Sequence, residues 1–397
     1  MNVTIDYCIP STDLHPGFRP QLDDMQSDLD SLRSKLRIAV IYGGNHNRDN
    51  AVIYRTFNPR PWKSYQTVAR DVQDALQEVG FEWVTLMPDD MNLPQRLRDA
   101  GIHFAWLNTG GVQGYSPVSH TAGMLEMLGI PYVGHNPLHA STLDNKHTFK
   151  RELQAFGIPT APFITWHPAQ GLLDTGPGSR FERTFAQHHG PFVVKPISGR
   201  ASLHIAVVDS LDELHEQAFE VAQQTHNTVL IEAYLPGREF CAAVCGGTLV
   251  RDDIIRRLHQ PFVFSVVERL FRTGEAIFTS MDTQSITYDR VRLVDSSEPE
   301  HAQLSHLART IYTEFNLSSL VRLDVRADAG GKLHVLEANP KPDLKRESCA
   351  STSLISVGLP QAGLSYQDLI LSLLVDRLHY LFTYVPDSVR HILDLLA

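Results

Sequence analysis

The sequence predicts an α/β protein of two or three domains. Its 397 residues, 43% of them hydrophobic, are enough to build a large core. From residue 36 onward, apolar runs such as RIAVIYGG and HFAWLN alternate with amphipathic helical segments. This alternation is typical of parallel strands buried on both faces and of the helices that cover them. Strands predominate towards the C-terminus.

Composition argues against several classes of protein. Lys and Arg number 35 and Asp and Glu number 45, and the net charge of -10 argues against a general nucleic-acid-binding or membrane-surface role. The four cysteines form no CxxC pair and have no His at zinc-ligand spacing, so neither a disulfide framework nor a zinc site is indicated. The N-terminus lacks the apolar core of a signal peptide, and no apolar run reaches the roughly 18 residues of a membrane helix. We therefore expect a cytoplasmic protein.

The first part of the chain divides near residue 36. Residues 1–35 are predicted to be an N-terminal extension that includes a polar helix, and no role is assigned to it. Residues 36–143 are predicted to form the first α/β domain. Within this domain, SYQTVARDVQDALQEVG is predicted to be a helix, because apolar residues recur on one stripe and Gly80 follows as a C-cap. The stripe consists of Val68, Val72, Ala75, Leu76 and Val79.

Two further domains are predicted to follow. The second, residues 144–235, begins with a helix in DNKHTFKRELQAFG and continues with strands around the small-residue loop of FVVKPISGRASLHIAVV. The third, residues 236–397, is rich in strands and ends with the amphipathic helix LSYQDLILSLLVDRLHYLF. The changes of hydrophobic period along these segments indicate helices and strands respectively.

The segment LVRLDVRADAGGKLHVLEANP is predicted to be a β-hairpin whose two-residue turn is Gly330-Gly331. With that turn, Asp324 lies opposite Glu337, and Arg322 lies opposite Asn339. Because side chains alternate between the faces of a strand, one face is polar and the other is apolar. The polar face carries Arg322, Asp324, Arg326, Glu337 and Asn339, and the apolar face carries Val321, Leu323, Val325, Leu336 and Ala338.

Two carboxylates that face each other in a sheet repel unless cations lie between them. Asp324 and Glu337, with the amide oxygen of Asn339, would form a hard-oxygen site suited to Mg²⁺ that bridges the protein and nucleotide phosphates. The alternative is an exposed sheet face on which Arg322 and Arg326 neutralise the acids. The hairpin by itself leaves both interpretations open.

The chain contains neither the P-loop motif GxxxxGK[ST] nor the dinucleotide-binding motif GxGxxG after a strand. A nucleotide would therefore need a different kind of phosphate-binding site. Lys195 follows the apolar strand FVV and precedes a loop of small residues, whose backbone N–H groups could close over phosphate oxygens. A solvated lysine at a strand end is the alternative. Further along, Glu232 and Glu239 flank a Pro-Gly kink that could present backbone groups to an adenine edge.

Taken in this order, the segments resemble the ATP-grasp superfamily, and most closely the D-alanine:D-alanine ligase family. The resemblance covers roughly residues 36–380 and rests on GMLEMLGIPYVGHNPLHASTLDNKHTFKRELQAFGIPTAPF, PFVVKPISGRASLHIAVV, VLIEAYLPGREF and VRLDVRADAGGKLHVLEANP. It implies a three-domain ATP-grasp fold, with a Rossmann-like N-terminal domain followed by two α+β domains that hold ATP between them. Relatives are often dimers, so the resemblance also implies a homodimer.

The resemblance implies roles for individual residues. The metal ligands would be Asp324, Glu337 and Asn339, which would hold two Mg²⁺ ions with Glu337 between them. The contacts to ATP phosphates would be Lys146 and Lys195, under a covering loop that contains Ala201 and Ser202. The adenine pocket would be Glu232, Ala233 and Leu235, with Glu239 on the ribose. Arg322 would stabilise the oxyanion that forms during amide synthesis, and Lys195 would assist phosphoryl transfer.

The implied reaction joins a small-molecule carboxylic acid to an amine. A carboxylate attacks the γ-phosphate of ATP to give an acyl phosphate and ADP, and the amine then displaces phosphate to give an amide. A closed site protects the acyl phosphate from water, and residues 262–285 stand where the family has a mobile lid.

The segments that would face the substrates depart from the family. Asp49 is the acid of NHNRDNAVIYRTFNPRPW, where the family carries a Glu shortly after the first-strand glycines, and NTGGVQGYSPVSH replaces the second-strand loop. The Gly-containing stretch expected around the acceptor has become PKPDLKR, in which Arg346 could bind a carboxylate through a bidentate contact. A solvated loop is the alternative. The candidate substrate residues are Asp49, Lys341, Lys345, Arg346 and Ser348.

These departures predict a ligase whose acceptor is an amino acid or a similar amine and whose product is not D-alanyl-D-alanine. A ligase of specialised metabolism, such as a relative of mycosporine-glycine amine ligase, is one form of this hypothesis. An ATP-grasp kinase and a non-catalytic ATP-binding protein are the alternatives. ADP release without an amine would indicate the kinase, and ATP binding without turnover would indicate the binding protein.

Overall fold

The structure, a computed structural model, describes residues 22–56, 62–199, 203–278, 286–349 and 351–397. Its first elements are α1 (Leu22–Lys35), β1 (Arg37–Tyr42), α2 (Gln66–Glu78), β2 (Trp83–Pro88), α3 (Leu93–Asp99), β3 (Phe104–Asn108), α4 (His120–Leu128) and β4 (Tyr132–Val133). The four strands form a parallel sheet in the order β2-β1-β3-β4. The predicted α/β class is confirmed for this part of the chain.

Helix α2 packs by the face that its apolar spacing predicts. The buried side chains include Val68, Val72, Ala75 and Leu76. Gly80 follows the helix with a φ of 99°, a backbone conformation that favours glycine at a helix end.

Helix α1 is part of the folded body, although the sequence suggested only an extension over residues 1–35. Met25, Leu29 and Leu32 are fully buried in a core shared with β1, α2 and elements near the C-terminus. Their spacing of three and four residues places them on one helical face. Helix α1 therefore packs against elements from both the N-terminal and the C-terminal parts of the chain. Residues 1–21 lie outside the described part of the structure.

The next elements are α5 (Pro137–Asp144), α6 (Lys146–Ala155), β5 (Phe163–Trp166), α7 (Arg180–Thr184), β6 (Phe192–Pro196), β7 (Ala206–Val208), α8 (Leu211–Thr225) and β8 (Val229–Ala233). The four strands form an antiparallel sheet in the order β5-β8-β6-β7. Phe181, Phe185 and Phe192 pack beside it with ring centroids 4.8 to 5.3 Å apart. The second sheet thus has its own core.

Helix α6 packs on the third sheet rather than on the second, although the sequence grouped it with residues 144–235. Phe149 and Leu153 are fully buried in the core of the third sheet, and the ring of Phe149 lies 5.4 Å from that of Phe315. The apolar stripe of α6 faces this core. The first residue of the helix, Lys146, lies at the space between the second and third sheets.

The remaining elements are β9 (Glu239–Cys245), β10 (Thr248–Arg251), β11 (Ile254–Arg257), β12 (Phe262–Arg269), β13 (Val291–Leu293), α9 (Pro299–Glu314), β14 (Val321–Ala327), β15 (Leu333–Asn339), α10 (Tyr366–Tyr384) and α11 (Arg390–Leu393). The third sheet is antiparallel in the order β13-β12-β9-β14-β15, and β10 and β11 pair separately. In the described ranges, no helix combines the length and the apolar character needed to cross a membrane.

The hairpin of β14 and β15 has the predicted pairing at one end and a different turn at the other. Asp324 pairs with Glu337 and Arg322 pairs with Asn339, as predicted, but the register shifts by one residue between Asp324 and Val325. The N–H of Asp328 donates to the carbonyl of Lys332, so the turn has three residues instead of two. A bulge at Leu336 compensates for the longer turn.

The bulge changes the face on which Leu336 lies. The sequence predicted this side chain on the apolar face with Val321 and Leu323. Instead it lines the cleft beside Glu337, because the extra residue of the bulge breaks the alternation of side chains. Val335 takes a fully buried place in the core.

Removal of the Leu29 side chain tests whether α1 is integral to the fold. We expect Leu29→Ala to lower the free energy of unfolding by about 2–5 kcal/mol, because a fully buried leucine leaves a cavity. Urea denaturation would measure the change. Ser27→Ala, at an exposed position of the same helix, is the control and should change stability by less than about 0.5 kcal/mol. Equal effects of the two variants would contradict an integral role for α1.

Candidate active site

A cleft with an empty volume of about 1370 Å³ lies between the second and third sheets. Strands β6 and β8 supply one wall, and β9, β12, β14 and β15 supply the other. The polar residues of its lining include Lys146, Lys195, Glu232, Glu239, Arg269, Arg322, Asp324, Arg326, Glu337 and Asn339. The structure therefore brings the predicted metal and phosphate residues together in one cleft.

The facing carboxylates of β14 and β15 have separate cationic partners. Glu337 Oε2 lies 3.0 Å from Lys146 Nζ. Burial opposes ionisation of Glu337, but Lys146 and Lys195 outweigh it and hold the pKa of this carboxyl well below its usual value. Arg322 donates two hydrogen bonds to Asp324, from Nε to Oδ1 at 2.8 Å and from Nη2 to Oδ2 at 3.0 Å. Cations thus relieve the repulsion between the two acids.

Glu232 is a buried acid shared by two buried lysines. Its side chain is 3% exposed, with Oε2 3.0 Å from Lys150 Nζ and Oε1 bonded to Lys195. Burial opposes ionisation of Glu232, but the two ammonium groups outweigh it and lower its pKa. The same burial lowers the pKa of Lys150, whereas Glu232 and Glu337 overcome burial at Lys195 and raise its pKa. The Glu232 side chain therefore fixes two lysines in the wall of the cleft, and its place in an adenine pocket stays a prediction.

Glu239 is held between two arginines. Arg269 Nη1 donates to Oε1 at 2.7 Å, and Arg326 Nη1 donates to Oε2 at 3.3 Å. Arg269 also donates from Nη2 to Asp324 Oδ2 at 2.9 Å. Arg326 is fixed further by Tyr234, whose hydroxyl accepts from Nη2 at 2.9 Å.

These contacts form three groups of ion pairs, together called the ionic network, because Glu337 also interacts electrostatically with Lys195 and Arg322 of the other two groups. In the described part of the chain, it contains six cations, Lys146, Lys150, Lys195, Arg269, Arg322 and Arg326, and four carboxylates, Glu232, Glu239, Asp324 and Glu337. The formal surplus of two positive charges lies in a cleft whose charged side chains are mostly buried. A site of this kind favours a polyanion.

The oxygen ligands of the cleft fit a divalent cation such as Mg²⁺. Mg²⁺ usually binds through one or two carboxylates together with substrate phosphates, and the Glu337 carboxylate is 28% exposed to the cleft. Within the described ranges, no group of three or more His, Cys, Asp or Glu side chains converges. Phosphate oxygens and water would therefore complete the coordination that Glu337 and Asn339 begin.

The apolar part of the cleft adjoins the end of β8. Ala233, Leu235 and Leu336 line it, and Ile277 and Phe278 line the side towards the predicted lid. The predicted loop residues Ala201 and Ser202 lie outside the described part of the structure, as do residues 279–285 of the predicted lid. Gly199 and Leu203, on either side of that loop, line the cleft.

The predicted substrate residues lie in different places. Arg346 faces away from the cleft, since its Nη1 donates to Glu78 Oε1 at 3.0 Å and its Nη2 bonds the other oxygen. Asp49 is exposed, and Ser348 bonds the main-chain oxygen of Ser351 at 3.2 Å. None of these three side chains lines either of the two cavities described.

A second cavity, with an empty volume of about 1020 Å³, opens beside the cleft. Its lining is Lys63, Ser64, Tyr65, Gln66, Thr67, Val68, Ile286, Asp343, Lys345, Ser351 and Thr352. Tyr65 lines both spaces, and Lys341 Nζ lies 3.3 Å from the centroid of its ring. Burial outweighs the surrounding lysines and raises the pKa of Asp343.

Gly43 positions one wall of the second cavity. Its N–H donates to the carbonyl of Ser64 at 2.7 Å, and a Cβ at Gly43 would come within 2.2 Å of the carbonyl oxygen of Lys63. Glycine is therefore needed at position 43, after β1, because any larger residue would clash with the backbone that precedes α2.

Several site residues were not predicted from the sequence. Lys150 lies four residues after Lys146, so helical spacing could have placed both on one face of α6. Arg269 follows an ordinary apolar strand, and no local pattern indicates that it points at Asp324 and Glu239. No sequence pattern indicated that Tyr65, in the loop before α2, lines both cavities.

Comparison with known proteins identifies similar chains. The family model described as "D-ala D-ala ligase C-terminus" matches residues 153–375, more than half of the chain. The D-alanine–D-alanine ligase of Halorhodospira halophila is 27% identical over 305 residues, which cover 77% of this chain and 88% of the relative. The corresponding ligase of Synechococcus sp. (strain JA-3-3Ab) is 28% identical over 309 residues, which cover 77% and 86%.

Solved structures share the fold. The D-alanine–D-alanine ligase from Bacillus anthracis complexed with ATP has a TM-score of 0.61 and 20% identity, and the match covers 86% of this chain and 97% of that chain. A second structure of the Bacillus anthracis ligase has a TM-score of 0.60 and 21% identity, with the same coverage. The predicted three-domain ATP-grasp fold is confirmed.

Substitution of Glu232 tests the buried charge cluster. We expect Glu232→Gln to lower the free energy of unfolding by about 3–5 kcal/mol, because it leaves two buried lysines without a carboxylate. Lys150→Met keeps the pair of Glu232 with Lys195 and should cost only about 1 kcal/mol. Chemical denaturation of both variants at neutral pH would measure the difference. A larger loss for Lys150→Met would contradict the assignment of Glu232 as the shared counter-ion.

Proposed function

The chain belongs to the D-Ala-D-Ala ligase family of ATP-grasp ligases, and from that premise we propose that it joins a carboxylic acid to an amino acid. As a member of this family, the chain is an ATP-dependent carboxylate–amine ligase. We propose the classes of its two substrates and the roles of its residues. The second cavity carries the proposal, because it opens beside the ionic network and combines lysines, an aspartate and a helix N-terminus.

ATP is the proposed occupant of the cleft. The surplus positive charge of the ionic network supports a polyphosphate, and the similarly folded Bacillus anthracis ligase is complexed with ATP. In this arrangement Lys146 and Lys195 bind phosphate oxygens. Ala233, Leu235 and Leu336 contact the adenine, and Glu239 binds the ribose.

A divalent cation such as Mg²⁺ would be held by Glu337 and Asn339, with Asp324 nearby. When bound, it would neutralise negative charge on the phosphoryl group during transfer. Before a cation binds, Lys146 keeps Glu337 ionised, because the ammonium group lies 3.0 Å from the carboxylate. The chain therefore presents a charged oxygen ligand at the edge of the cleft at neutral pH.

The proposed reaction has two steps. A carboxylate oxygen of the first substrate attacks the γ-phosphorus, the bond from phosphorus to the ADP oxygen breaks, and ADP leaves. The amine nitrogen of the second substrate then attacks the acyl carbon, the bond to the phosphate oxygen breaks, and phosphate leaves as the amine loses a proton. Arg322 would stabilise the oxyanion of the intermediate, since Asp324 holds its guanidinium in the cleft wall.

The second cavity is proposed to bind the amino acid acceptor. Lys345 and Lys63 would bind its carboxylate, together with the N-terminus of α2, which has no side-chain cap. Asp343 would lie near its ammonium group before the amine loses a proton. Lys345 Nζ already donates to Ser351 Oγ at 2.7 Å, which fixes the ammonium group at the cavity wall.

The product is proposed to differ from D-alanyl-D-alanine. The acids and glycines that face D-alanine in the family are replaced in this chain, while the residues of the nucleotide cleft are kept. Lys341, Asp343 and Lys345 bring bulk and charge to the acceptor side, which favours an acceptor larger or more polar than alanine.

A coupled assay of ADP release tests the reaction. Against a matrix of carboxylic acids and amino acids, we expect release that requires one member of each class and that yields an amide. Arg322→Met should lower kcat by about 10²–10³-fold, because it removes the stabilising charge. Arg256→Met, at an exposed position of β11, is the control and should leave the rate unchanged.

Two results would contradict this function. ADP release with a phosphorylated product and no requirement for an amine would indicate a kinase. Tight ATP binding without turnover for any pair of substrates would indicate a non-catalytic nucleotide-binding protein.

A pair of neighbouring variants tests the acceptor cavity. We expect Lys345→Met to raise the KM for the amino acid on the order of ten- to a hundredfold, because it removes a charge-assisted hydrogen bond, and to leave the KM for ATP unchanged. Arg346→Met is the matched control, since its guanidinium bonds Glu78 outside the cavity. Steady-state kinetics would measure both. A larger effect of Arg346→Met on that KM would contradict the assignment.

A further inference from the structure

We propose that the cleft holds a single divalent cation, and that the guanidinium of Arg269 takes the place of a second one at Asp324. This inference rests on the proposed function, because it concerns how the ATP site is neutralised. The resemblance to the family implied two ions shared by Asp324, Glu337 and Asn339. The contacts of these residues favour a different division of the charge.

Asp324 is already engaged by two arginines, and Asn339 Nδ2 lies 3.5 Å from its Oδ2. Oδ1 accepts from Arg322 Nε, and Oδ2 accepts from both Arg322 Nη2 and Arg269 Nη2, at 2.8, 3.0 and 2.9 Å. A carboxylate offers about four lone-pair sites, so guanidinium groups use most of them. The side chain is 4% exposed, which leaves little room for a cation that retains several water ligands.

Glu337 and Asn339 are in the opposite situation. The Glu337 side chain is 28% exposed, and among the described residues its Oε2 forms a salt bridge with Lys146. Asn339 is partly exposed and lines the cleft. These oxygens can therefore reach a hydrated cation from the solvent side. The two ends of the carboxylate pair thus differ in what they can bind.

Two residues other than Asp324, namely Glu239 and Phe278, hold Arg269 in this position. Its strand neighbour is Glu239, with which it is paired in register across β12 and β9. The same Glu239 accepts from Nη1 at 2.7 Å, and the guanidinium lies 5.3 Å from the centroid of the Phe278 ring. The side chain is 7% exposed. Displacement of the Arg269 guanidinium to admit a metal ion at Asp324 would break its side-chain contacts with Asp324, Glu239 and Phe278.

A guanidinium can provide part of the charge neutralisation that a metal ion provides at a phosphate site. It carries a permanent positive charge and donates several hydrogen bonds in a fixed plane, which suits phosphate oxygens. The Arg269 guanidinium is also already buried, so it has little hydration to lose when the nucleotide enters. Arg269 lines the cleft with Arg322 and Arg326, so three arginines surround the inner end of the site and the cation occupies the outer end.

Mn²⁺ binding measured by electron paramagnetic resonance tests the stoichiometry. With the protein in excess over the ATP analogue AMP-PNP, we expect one Mn²⁺ per bound nucleotide and the spectrum of an isolated ion. Arg269→Met should admit a second Mn²⁺ and produce the broadened signal of a coupled pair. Two Mn²⁺ ions per nucleotide in the unaltered protein would overturn the proposal.

Two further variants keep the test independent of how well Arg269→Met folds. Glu337→Gln should weaken Mn²⁺ binding by more than about tenfold, whereas Asp324→Asn should weaken it by less than that. Equal loss in both variants would identify Asp324 as a metal ligand and overturn the proposal. A failure of the unaltered protein to bind AMP-PNP would instead contradict the proposed function, so the two failures are distinguishable.

Discussion

Asp324 and Glu337 face each other across β14 and β15, and the repulsion between these carboxylates determines what must surround them. Two acids in register in a sheet are stable only if cations neutralise them. Here each has its own partners, Lys146 for Glu337 and two arginines for Asp324. The same rule applies to Glu232 and Glu239, and the neutralising residues outnumber the acids. The positive surplus that suits a polyphosphate thus follows from the need to stabilise buried carboxylates.

The packing of the elements keeps these charges in place. Lys146 is the first residue of α6 and Lys150 lies about one turn further along. The helix is fixed because Phe149 and Leu153 are buried in the core of the third sheet. Glu232 and Lys195 come from the second sheet, so the ionic network extends across two separately packed bodies. A change in the register of either sheet would move an acid away from its cations, which gives the apolar cores a direct influence on the electrostatics of the cleft.

The fold class, the family and the pairing of Asp324 with Glu337 could be predicted from the sequence. That pairing results from a longer turn offset by a bulge at Leu336, and alternation alone cannot indicate a bulge. Helical spacing could have identified Lys150. The acid partners of Arg269 lie on β9, which neighbours β12, and on β14, the strand beyond β9, and the order of strands is set by the whole fold.

Irregular loops were harder still. Lys345 and Arg346 are adjacent in a loop without a period, and the residue that faces the cavity is decided by Glu78, which is distant in sequence. The domain boundaries, the roles of the site residues, the cytoplasmic location and the homodimer stay predictions.

The separate core of the second sheet has a consequence for how the cleft opens. Among the described residues, this core shares no side chain with the cores of the first and third sheets, so the sheet can rotate as a rigid body without disturbing its own packing. Contacts that cross to the third sheet include the salt bridge of Lys150 with Glu232 and the hydrogen bond of Arg326 to Tyr234. Charged groups regain hydration when they separate, which offsets much of the lost attraction. Opening of the cleft would therefore break these contacts without unfolding the second sheet, and salt would weaken the pair of Lys150 and Glu232 only slightly, because both side chains are buried.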